Sequence, residues 1–243
     1  MSVDLHAEAK RQLALRLEQN PYPGRGLVMG RSAAGDWLQV YWIMGRSENS
    51  RNRRFVAEPG GTLRTEAVDP AKLADPSLVI YEAMLELPGL HVVSNGDQTR
   101  TVRDALAAGG DFAAALATRE REPDAPNYTP RISALLDLRG GHAALWLSLL
   151  RANPADPSRS DRFTFELAPP PPGLGRGLTT YEGDGTPLPS FRGEPLWLPL
   201  PAAPAAVLDL YWGGLDADNR VALAVKCIED GAGQSRLLVR NRF

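Results

Sequence analysis

The sequence predicts an α+β domain built from layers of antiparallel strands and helices. Most strands that the hydrophobic pattern indicates come in consecutive pairs, and the predicted helices fall into groups before, between and after those pairs. A chain of repeated strand–helix–strand units would alternate these elements instead. The 243 residues, of which 43% are hydrophobic, are enough to bury a full core.

The first predicted elements are a helix and two strands. Leucines recur at helical spacing within residues 4–19, and the prolines that follow end that helix. Residues 38–44 alternate in the manner of a strand, after a turn rich in serine, glycine and aspartate. Together with a strand before the turn, this segment makes the stretch 22–55 the centre of the predicted domain.

Turn signals divide the middle of the chain into short elements. Proline and glycine at 59–61 end a strand, and Asn95-Gly96 is a strong turn signal ahead of a helical region. Residues 78–87 fit either a strand or a helix, and their β-branched start favours the strand. The predicted elements here are a strand at 54–58, a helical turn at 70–75, strands at 78–87 and 90–94, and helices at 101–108 and 111–118.

The second half of the chain is predicted to be mostly strand. A hairpin flanks Gly140-Gly141, and the proline- and glycine-rich segment 183–204 is predicted to be a long loop placed to cover a site. The predicted elements are strands at 132–138, 143–150, 162–167 and 178–182, a helix at 205–215, and final strands at 221–229 and 236–240.

Composition and charge narrow the class of protein. The net charge of −2 favours no general binding of nucleic acid, and every apolar run is shorter than the roughly 18 residues that a membrane span needs. Cys227 stands alone in an apolar run, which excludes an internal disulfide and indicates a buried thiol in a reducing compartment. The acidic N-terminus does not fit a signal peptide. We therefore predict a cytoplasmic protein without nucleic-acid or membrane partners; the sequence leaves its oligomeric state open, a homo-oligomer included.

An arginine cluster is the first candidate for a ligand site. Residues 46–54 hold four arginines interleaved with hydroxyl and amide side chains. Guanidinium groups bind phosphate or carboxylate oxygens through paired hydrogen bonds, so this composition suits a phosphorylated or carboxylated small ligand. A solvated loop with an ordinary surface charge run would have the same composition. The three histidines are scattered without the spacing of metal ligands.

Five polar islands stand at the ends of predicted strands. They are Tyr22-Pro23-Gly24-Arg25, Gly45-Arg46-Ser47 with Asn52-Arg53, Val93-Ser94-Asn95-Gly96 with Thr99, Asn127-Tyr128-Thr129-Pro130-Arg131, and Thr180-Tyr181-Glu182. In this order they resemble the archaeal-type inosine monophosphate (IMP) cyclohydrolase family, which carries Tyr-x-Gly-Arg, Arg-Ser…Asn-Arg, Val-Val-Ser-Asn-Gly and Thr-Pro-Arg-Ile segments. The resemblance spans residues 22–240 and favours the ligand-binding interpretation of the arginine cluster.

The resemblance implies a fold and a reaction. The fold is a four-layer αββα sandwich similar to that of the N-terminal-nucleophile hydrolases but without their self-processing, formed by residues 22–243 after an N-terminal helical extension at 1–21. The reaction closes 5-formamidoimidazole-4-carboxamide ribotide to IMP with loss of water, in purine biosynthesis. The enzyme would be a hydrolase of cyclic amidines that works in the cyclising direction. Its partner is the small purine ribotide, and the reaction requires neither a metal nor an organic cofactor.

The reaction suggests roles for the polar residues. The 5′-phosphate needs fixed cationic or amide donors, and ring closure needs an oxyanion donor and groups that move protons. The resemblance and this chemistry together suggest substrate binding by Arg25, Tyr41, Arg46, Ser47, Asn52, Arg53, Ser94, Asn95, Gly96 and Thr129. The catalytic candidates are Tyr81, Arg131 and Glu122.

Each catalytic candidate has a plainer alternative. Tyr81 could be a core aromatic, Arg131 could cap a strand, and Glu122, which stands in a charged run, could be solvated. Trp42 and Met44 replace more polar residues that the resemblance leads us to expect. With the additional segments of the chain, they support an alternative function: a purine-ribotide-binding or interaction protein on the same scaffold, without turnover.

Overall fold

Two antiparallel sheets form the framework of the protein. The computed structural model describes residues 4–73, 76, 78–229 and 235–243, and within them the strands form one six-stranded and one seven-stranded sheet. The strands are β1 (Gly26–Arg31), β2 (Trp37–Met44), β3 (Arg54–Glu58), β4 (Thr62–Glu66), β5 (Glu82–Leu87), β6 (Leu90–Ser94), β7 (Arg131–Asp137), β8 (Ala144–Ala152), β9 (Ser160–Leu167), β10 (Leu174–Thr179), β11 (Leu196–Pro199), β12 (Arg220–Ile228) and β13 (Ser235–Asn241). The first sheet has the order β11–β10–β1–β2–β12–β13, and the second runs from β3 to β9 in chain order. The α+β class is as predicted.

The helices pack on the two sheets separately. They are α1 (Leu5–Leu13), which continues as a π-helical turn over Ala14–Glu18, α2 (Glu48–Arg51), α3 (Gln98–Ala107), α4 (Phe112–Ala117) and α5 (Pro204–Gly214). Asp4 begins α1 by accepting hydrogen bonds from the N–H groups of His6 and Ala7, at 3.0 and 3.1 Å. α1 and α5 contact β11 and β12 of the first sheet, and α3 contacts β5 and β6 of the second. Among the helices in the described residues, none combines the length and apolar character that crossing a membrane requires.

β1 and β2 form the central hairpin of the first sheet, as the sequence predicts. Every residue of β2 is buried, because successive side chains point to opposite faces and both faces are covered. Tyr41 packs on Phe55 of β3, and Trp42 packs on Tyr211 of α5, with ring centroids 5.4 and 5.9 Å apart. Gly26 lies opposite Trp42, and a Cβ atom there would come 2.0 Å from the indole ring. Glycine at this position therefore allows the hairpin to close over the ring.

The segment that precedes β5 is a turn rather than a strand. The sequence predicts a strand over 78–87, but β5 begins at Glu82. The N–H groups of Val79 and Ile80 both donate to the carbonyl of Pro76, at 3.1 and 2.8 Å, which closes a turn. Tyr81 therefore stands just before the strand, and the alternation that a strand imposes does not extend to it.

The strand predicted at 178–182 lies earlier in the chain. It is β10, which begins at Leu174, ends before the last three predicted residues and includes two glycines, which are unfavourable inside strands. A Cβ atom on Gly175 would lie 2.7 Å from a methyl group of Val28 in the neighbouring strand. The glycines of this strand therefore serve close packing, which a propensity argument does not detect.

Three smaller differences concern irregular segments. The loop predicted over 183–204 contains the short strand β11, and β4, the hairpin partner of β3, escaped prediction because its side chains are mostly polar. The helical turn predicted at 70–75 is a 3-10 turn at Pro70–Lys72, and residues 74 and 75 lie outside the described residues.

Cys227 is buried, as predicted, and burial raises the pKa of its thiol.

A buried ion pair joins the two sheets. Lys226 of β12 is fully buried, and its ammonium group donates to Glu86 of β5 and, at 3.0 Å, to the carbonyl of Gly61. Burial by itself would raise the pKa of Glu86, but its contacts with His91, Lys226 and Ser235 lower that pKa from 4.5 to about 2. The folded protein therefore favours the carboxylate form of Glu86 more strongly than the unfolded chain does.

We expect Glu86→Gln to destabilise the protein most at neutral pH. Because the pKa of Glu86 is lower in the folded state, its contribution is present above pH 4.5 and is lost as the pH falls toward 2. The lowered pKa of Glu86 corresponds to about 3 kcal/mol of unfolding free energy at pH 7. Burial lowers the pKa of its partner Lys226, so this figure belongs to Glu86 and not to the pair as a whole. Urea denaturation at pH 7 and pH 3 measures this, and the difference between wild type and variant should shrink at pH 3.

Asp209→Asn is the matched control for this prediction. It removes a carboxylate that pairs with Arg240 on the surface, at 2.7 Å, and such exposed pairs contribute under about 1 kcal/mol. Equal losses in the two variants at pH 7, or a loss in Glu86→Gln that does not depend on pH, would contradict the assignment.

Candidate active site

A cavity opens where several of the polar islands meet. It has a volume of about 280 Å³ and lies at the edge of the first sheet where β1 begins and β2 and β10 end. Antiparallel pairing puts the start of one strand beside the ends of its neighbours, so segments distant in sequence converge here. Six of the predicted site residues line it: Arg25, Arg46, Ser47, Arg53, Glu122 and Thr129.

Arg25 and Glu122 form a buried ion pair in the cavity wall. Arg25 Nη2 donates to Glu122 Oε2 at 2.8 Å, and the two side chains are only 9% and 3% exposed. Arg25 Nη1 also donates to the carbonyl of Asn95, at 3.0 Å. Burial raises the pKa of Glu122, and the adjacent guanidinium opposes that shift. Glu122 is thus buried rather than solvated, and it takes up a proton more readily than an exposed carboxylate does.

Two more arginines extend the cationic wall. Arg46 donates to the Asp184 carboxylate and, at 3.1 Å, to the carbonyl of Gly185, and its guanidinium lies 5.0 Å from the centre of the Tyr22 ring. Arg53 is buried, and its Nε donates to a carbonyl of α2 at 2.8 Å. Burial raises the pKa of Tyr22, while the charges of Arg53, Arg25 and Arg46 lower it. All three cations therefore act on the region around the Tyr22 hydroxyl.

The short helix α2 holds this wall in shape. Ser47 Oγ accepts from the N–H of Ser50 at 3.2 Å, and Ser50 Oγ accepts from the N–H of Ser47 at 2.9 Å. This reciprocal cap fixes the turn that follows β2. A Cβ atom on Gly45 would lie 2.7 Å from the backbone of Ser50, so the chain can reverse this tightly only with glycine there.

Tyr41 and Tyr81 form a buried pair of phenols. Their hydroxyl oxygens lie 2.6 Å apart. Burial raises the pKa of Tyr41, the Tyr81 hydroxyl adds to the shift, and the charge of Arg25 opposes it. Tyr81 lines a second cavity, of about 520 Å³, together with Asp97 and Arg100. Tyr81 is therefore a buried aromatic whose hydroxyl makes a polar contact beside a cavity.

Asn95, Gly96 and Arg131 are not part of the cavity lining but lie next to the Arg25–Glu122 pair. Asn95 Nδ2 donates to the carbonyl of Pro130 at 2.8 Å, and its Oδ1 accepts from the N–H of Ile132 at 2.8 Å, which ties the end of β6 to β7. The same residue presents its carbonyl to the guanidinium of the buried ion pair. Arg131 Nη1 donates to Asp97 at 2.8 Å, and a Cβ atom on Gly96 would come 2.9 Å from that nitrogen.

Asn52 and Ser94, both predicted to bind substrate, make their hydrogen bonds elsewhere. Asn52 Nδ2 donates to the carbonyl of Asp69, and Asn52 Oδ1 accepts from its N–H, each at 2.8 Å. Ser94 Oγ lies 2.9 Å from Ser133 Oγ, where it links β6 to β7. These two residues hold neighbouring segments together.

Several residues that line the cavity were not predicted from the sequence. Tyr22, Asp124, Asn127, Tyr181 and Leu188 all line the cavity, although none was among the predicted site residues. The two tyrosines and the asparagine lie within the polar islands, so the islands themselves were a usable signal. Leu188 belongs to the segment that the sequence predicts as a loop over a site, and its N–H donates to Asn127 Oδ1 at 3.0 Å. Asp124 follows a charged run and had no signal of its own.

The polar side chains that line this site include guanidinium, hydroxyl and carboxyl groups. In the part of the chain that the structure describes, no three His, Cys, Asp or Glu side chains come together as a metal site would need. The arrangement offers fixed positive charge for an anion, one buried carboxyl with a raised pKa, and hydroxyl groups that accept or donate protons.

Comparison with known families gives one match that covers most of the chain. A family model described as IMP cyclohydrolase-like protein matches residues 22–232. A search among curated proteins found no match. The family match confirms the resemblance drawn from the polar islands and supports a related function. The chain belongs to the IMP cyclohydrolase-like family.

Proposed function

We propose that this protein is an IMP cyclohydrolase that closes 5-formamidoimidazole-4-carboxamide ribotide to IMP with loss of water. The observation that carries the proposal is the buried Arg25–Glu122 pair in the wall of an arginine-lined cavity. The family match supports it. The cavity is close to the lower end of the size range of small-molecule sites, about 300–1,000 Å³. We place the reaction in cytoplasmic purine biosynthesis, with the ribotide as the partner and without a cofactor.

We also propose that the two sheets and their helices form a four-layer αββα sandwich similar to the N-terminal-nucleophile hydrolases. The alternation of β2 supports it, because Tyr41 packs toward β3 of the second sheet and Trp42 toward α5. Contacts of α3 with β5 and β6 are consistent with a helical layer on the second sheet. Residues 22–243 would form this domain, with the helix before Pro21 as an extension.

The proposed reaction needs two kinds of residue: some that bind the phosphate and others that act at the formyl carbon. Attack of the carboxamide nitrogen on the formyl carbon of the same molecule needs the formamide held in the reactive rotamer, which binding of the distant phosphate can enforce. Arg46 and Arg53 are our candidates for the phosphate, since Arg25 is held in a buried pair with Glu122, whereas the pair of Arg46 with Asp184 is exposed to solvent. The candidate donor to the developing oxyanion is the Tyr41–Tyr81 pair. The pair is not part of the lining of the arginine cavity; it borders the second cavity through Tyr81 and lies close enough to Arg25 for that charge to act on Tyr41. Glu122 pairs with Arg25 as a carboxylate, and because burial raises its pKa it is the candidate to take up a proton and pass it to the departing hydroxyl.

A direct assay tests the function. Purified protein is incubated with the formamido ribotide, and IMP formation is followed by absorbance. A rate no higher than that of the uncatalysed cyclisation would reject the enzyme. Tight binding of purine ribotides without turnover would leave the non-catalytic alternative in place. Trp42, whose side chain partly motivated that alternative, packs toward α5, on the face of β2 opposite Tyr41.

We expect Arg46→Ala to weaken binding of the ribotide and to leave binding of its dephosphorylated riboside unchanged. Loss of a hydrogen bond to a charged group costs about 1.5–3 kcal/mol, or roughly 10- to 150-fold in Kd. Titration calorimetry with both ligands measures the difference. Arg54→Ala is the matched control from the same cluster, because Arg54 pairs with Glu66 at 2.5 Å. A similar loss for ribotide and riboside in Arg46→Ala would rule out the phosphate role.

A further inference from the structure

A chain of hydrogen bonds leads out of the cavity through three of its lining residues. Tyr181 hydroxyl and Thr129 Oγ1 lie 2.6 Å apart. Thr129 Oγ1 also bonds to Asp124 Oδ2, and the N–H of Thr129 donates to Asp124 Oδ1 at 2.7 Å. Tyr181 and Thr129 are buried, whereas Asp124 is half-buried and so reaches solvent. The chain therefore connects the interior of the cavity with the outside.

The chemistry of the three groups sets the direction of each hydrogen bond. An ionised carboxylate only accepts, so the single hydroxyl proton of Thr129 points to Asp124. Thr129 Oγ1 must then accept from Tyr181, and the single phenol proton of Tyr181 points away from the cavity. Burial raises the pKa of Tyr181, which keeps it a neutral phenol. The lone pairs of the Tyr181 oxygen remain available to a ligand, so this wall of the cavity accepts hydrogen bonds.

The opposite polarity of the arginine wall defines the ligand. Arg25, Arg46 and Arg53 only donate, whereas Tyr181 accepts. A ligand that contacts both groups therefore presents anionic oxygens to the arginines and an N–H or O–H donor to Tyr181, whose ring stacks on that of Tyr22 with centroids 6.0 Å apart. The nucleophile of the proposed reaction is a carboxamide nitrogen with two N–H bonds, and it loses one of these protons as its bond to the formyl carbon forms.

We propose that Tyr181 accepts the N–H of the attacking nitrogen, and that the chain Tyr181–Thr129–Asp124 carries its proton to solvent; this rests on the proposed function. As the C–N bond forms, the formyl π electrons move to oxygen, which receives a proton that Glu122 has taken up. The Glu122 carboxylate then takes the formamide N–H proton and passes it to the hydroxyl, which leaves as water as the C=N bond of the ring forms. The proton of the attacking nitrogen passes to Tyr181, whose own proton passes to Thr129, and the Thr129 proton passes to Asp124. Both tyrosine and threonine end as neutral hydroxyls, and Asp124 releases the proton to water. Asp124 is thus a positioning residue that also receives the proton.

Asp124→Asn is the most direct test, because it keeps the shape of the side chain and reverses the direction of the hydrogen bonds between residue 124, Thr129 and Tyr181. Its Oδ1 still accepts the N–H of Thr129, and its Nδ2 donates to Thr129 Oγ1, so the hydroxyl proton of Thr129 turns toward Tyr181 and the phenol proton turns into the cavity. We expect kcat to fall by about 100-fold, the lower end of the range for proton-transfer catalysis, and KM to rise, because the phenol proton then faces the ligand N–H. A role limited to holding the Thr129 backbone would leave kcat unchanged.

Three more variants complete the test. Thr129→Val breaks the chain at nearly constant volume and should lower kcat to the same extent, and Thr129→Ser, which restores a hydroxyl, should recover most of that loss. Tyr128→Phe is the control, because the Tyr128 ring packs under the Arg121 guanidinium at 4.4 Å. All variants should keep the wild-type circular dichroism spectrum. Turnover within threefold of wild type in both Asp124→Asn and Thr129→Val would overturn the proposal.

A binding measurement separates this proposal from the proposed function. The attacking nitrogen becomes N1–H of IMP, so methylation at N1 should weaken binding to the wild type by at least 10-fold, and Tyr181→Phe should largely abolish this discrimination. This comparison stands even if the wild type shows no turnover, in which case the cyclohydrolase proposal alone fails. Equal discrimination in the wild type and Tyr181→Phe, or no ribotide binding at all, would refute the acceptor role.

Discussion

Glu122→Gln is expected to remove most of the turnover and to weaken the fold. The substitution takes away the proton that the departing hydroxyl needs, and general acid catalysis contributes about 10²–10⁴-fold to a rate. It also leaves the Arg25 guanidinium buried without its counter-ion, and breaking a buried ion pair in this way costs about 3–5 kcal/mol. Steady-state kinetics and urea denaturation of the same preparation measure the two effects.

Glu120→Gln is the control two positions earlier in the chain. Glu120 pairs with Arg162 on the surface, and its side chain is 63% exposed. We expect its kcat to equal that of the wild type and its stability to change by less than about 1 kcal/mol. If Glu122→Gln loses stability but turns over within threefold of the wild type, Glu122 is only the counter-ion of Arg25, and the proton donor must be sought elsewhere in the cavity.

Tyr81→Phe is expected to lower kcat by about 10²–10³-fold, the typical effect of removing one oxyanion donor. The ring and its packing remain, so the main loss is the hydroxyl. That hydroxyl is bonded to Tyr41, at 2.6 Å, and the buried Tyr41 group loses its partner in the variant. Leaving such a group unsatisfied costs about 1–3 kcal/mol, so a moderate fall in stability should accompany the fall in kcat.

Tyr41→Phe separates the two effects of this substitution. It breaks the same hydrogen bond but keeps the Tyr81 hydroxyl, so the two variants should lose similar stability. The amount by which kcat in Tyr81→Phe falls below that in Tyr41→Phe then measures the contribution of the Tyr81 hydroxyl to the reaction. If the two variants have the same kcat, Tyr81 is structural, and the phenol pair acts only as packing beside Arg25.

The sequence predicted the fold class and those residues of the cavity wall that are close together in the chain. β2 could be found because its alternation and the turn before it are properties of neighbouring residues. The arginine wall could be found because Arg46 and Arg53 stand close together after the same strand. The islands could be recognised because antiparallel neighbours present their ends at one edge, so each strand end carries a few polar residues.

The rest depends on contacts between distant parts of the chain. Glu122 looks solvated in its charged run, and only its pairing with Arg25, 97 positions away, explains its burial. Asn95 looks like a ligand residue, but its amide is used by the β6–β7 connection. Asp124 carries no signal at all until Thr129 and Tyr181 are seen beside it. Such pairings are set by tertiary packing, which neither propensity nor spacing encodes.

The contact between Gly26 and Trp42 has a consequence for how this family can diversify. An added Cβ atom at position 26 would occupy the space of the indole ring, 2.0 Å from its nearest atom. A side chain at 26 is therefore acceptable only in a sequence that carries a smaller residue at 42, and the two positions must change together in descent. Because position 26 directly follows Arg25, this steric epistasis also limits the sequences in which the buried Arg25–Glu122 pair can be kept in place. A scan that alters one position at a time will record position 26 as intolerant of side chains, although a smaller residue at 42 would make room there.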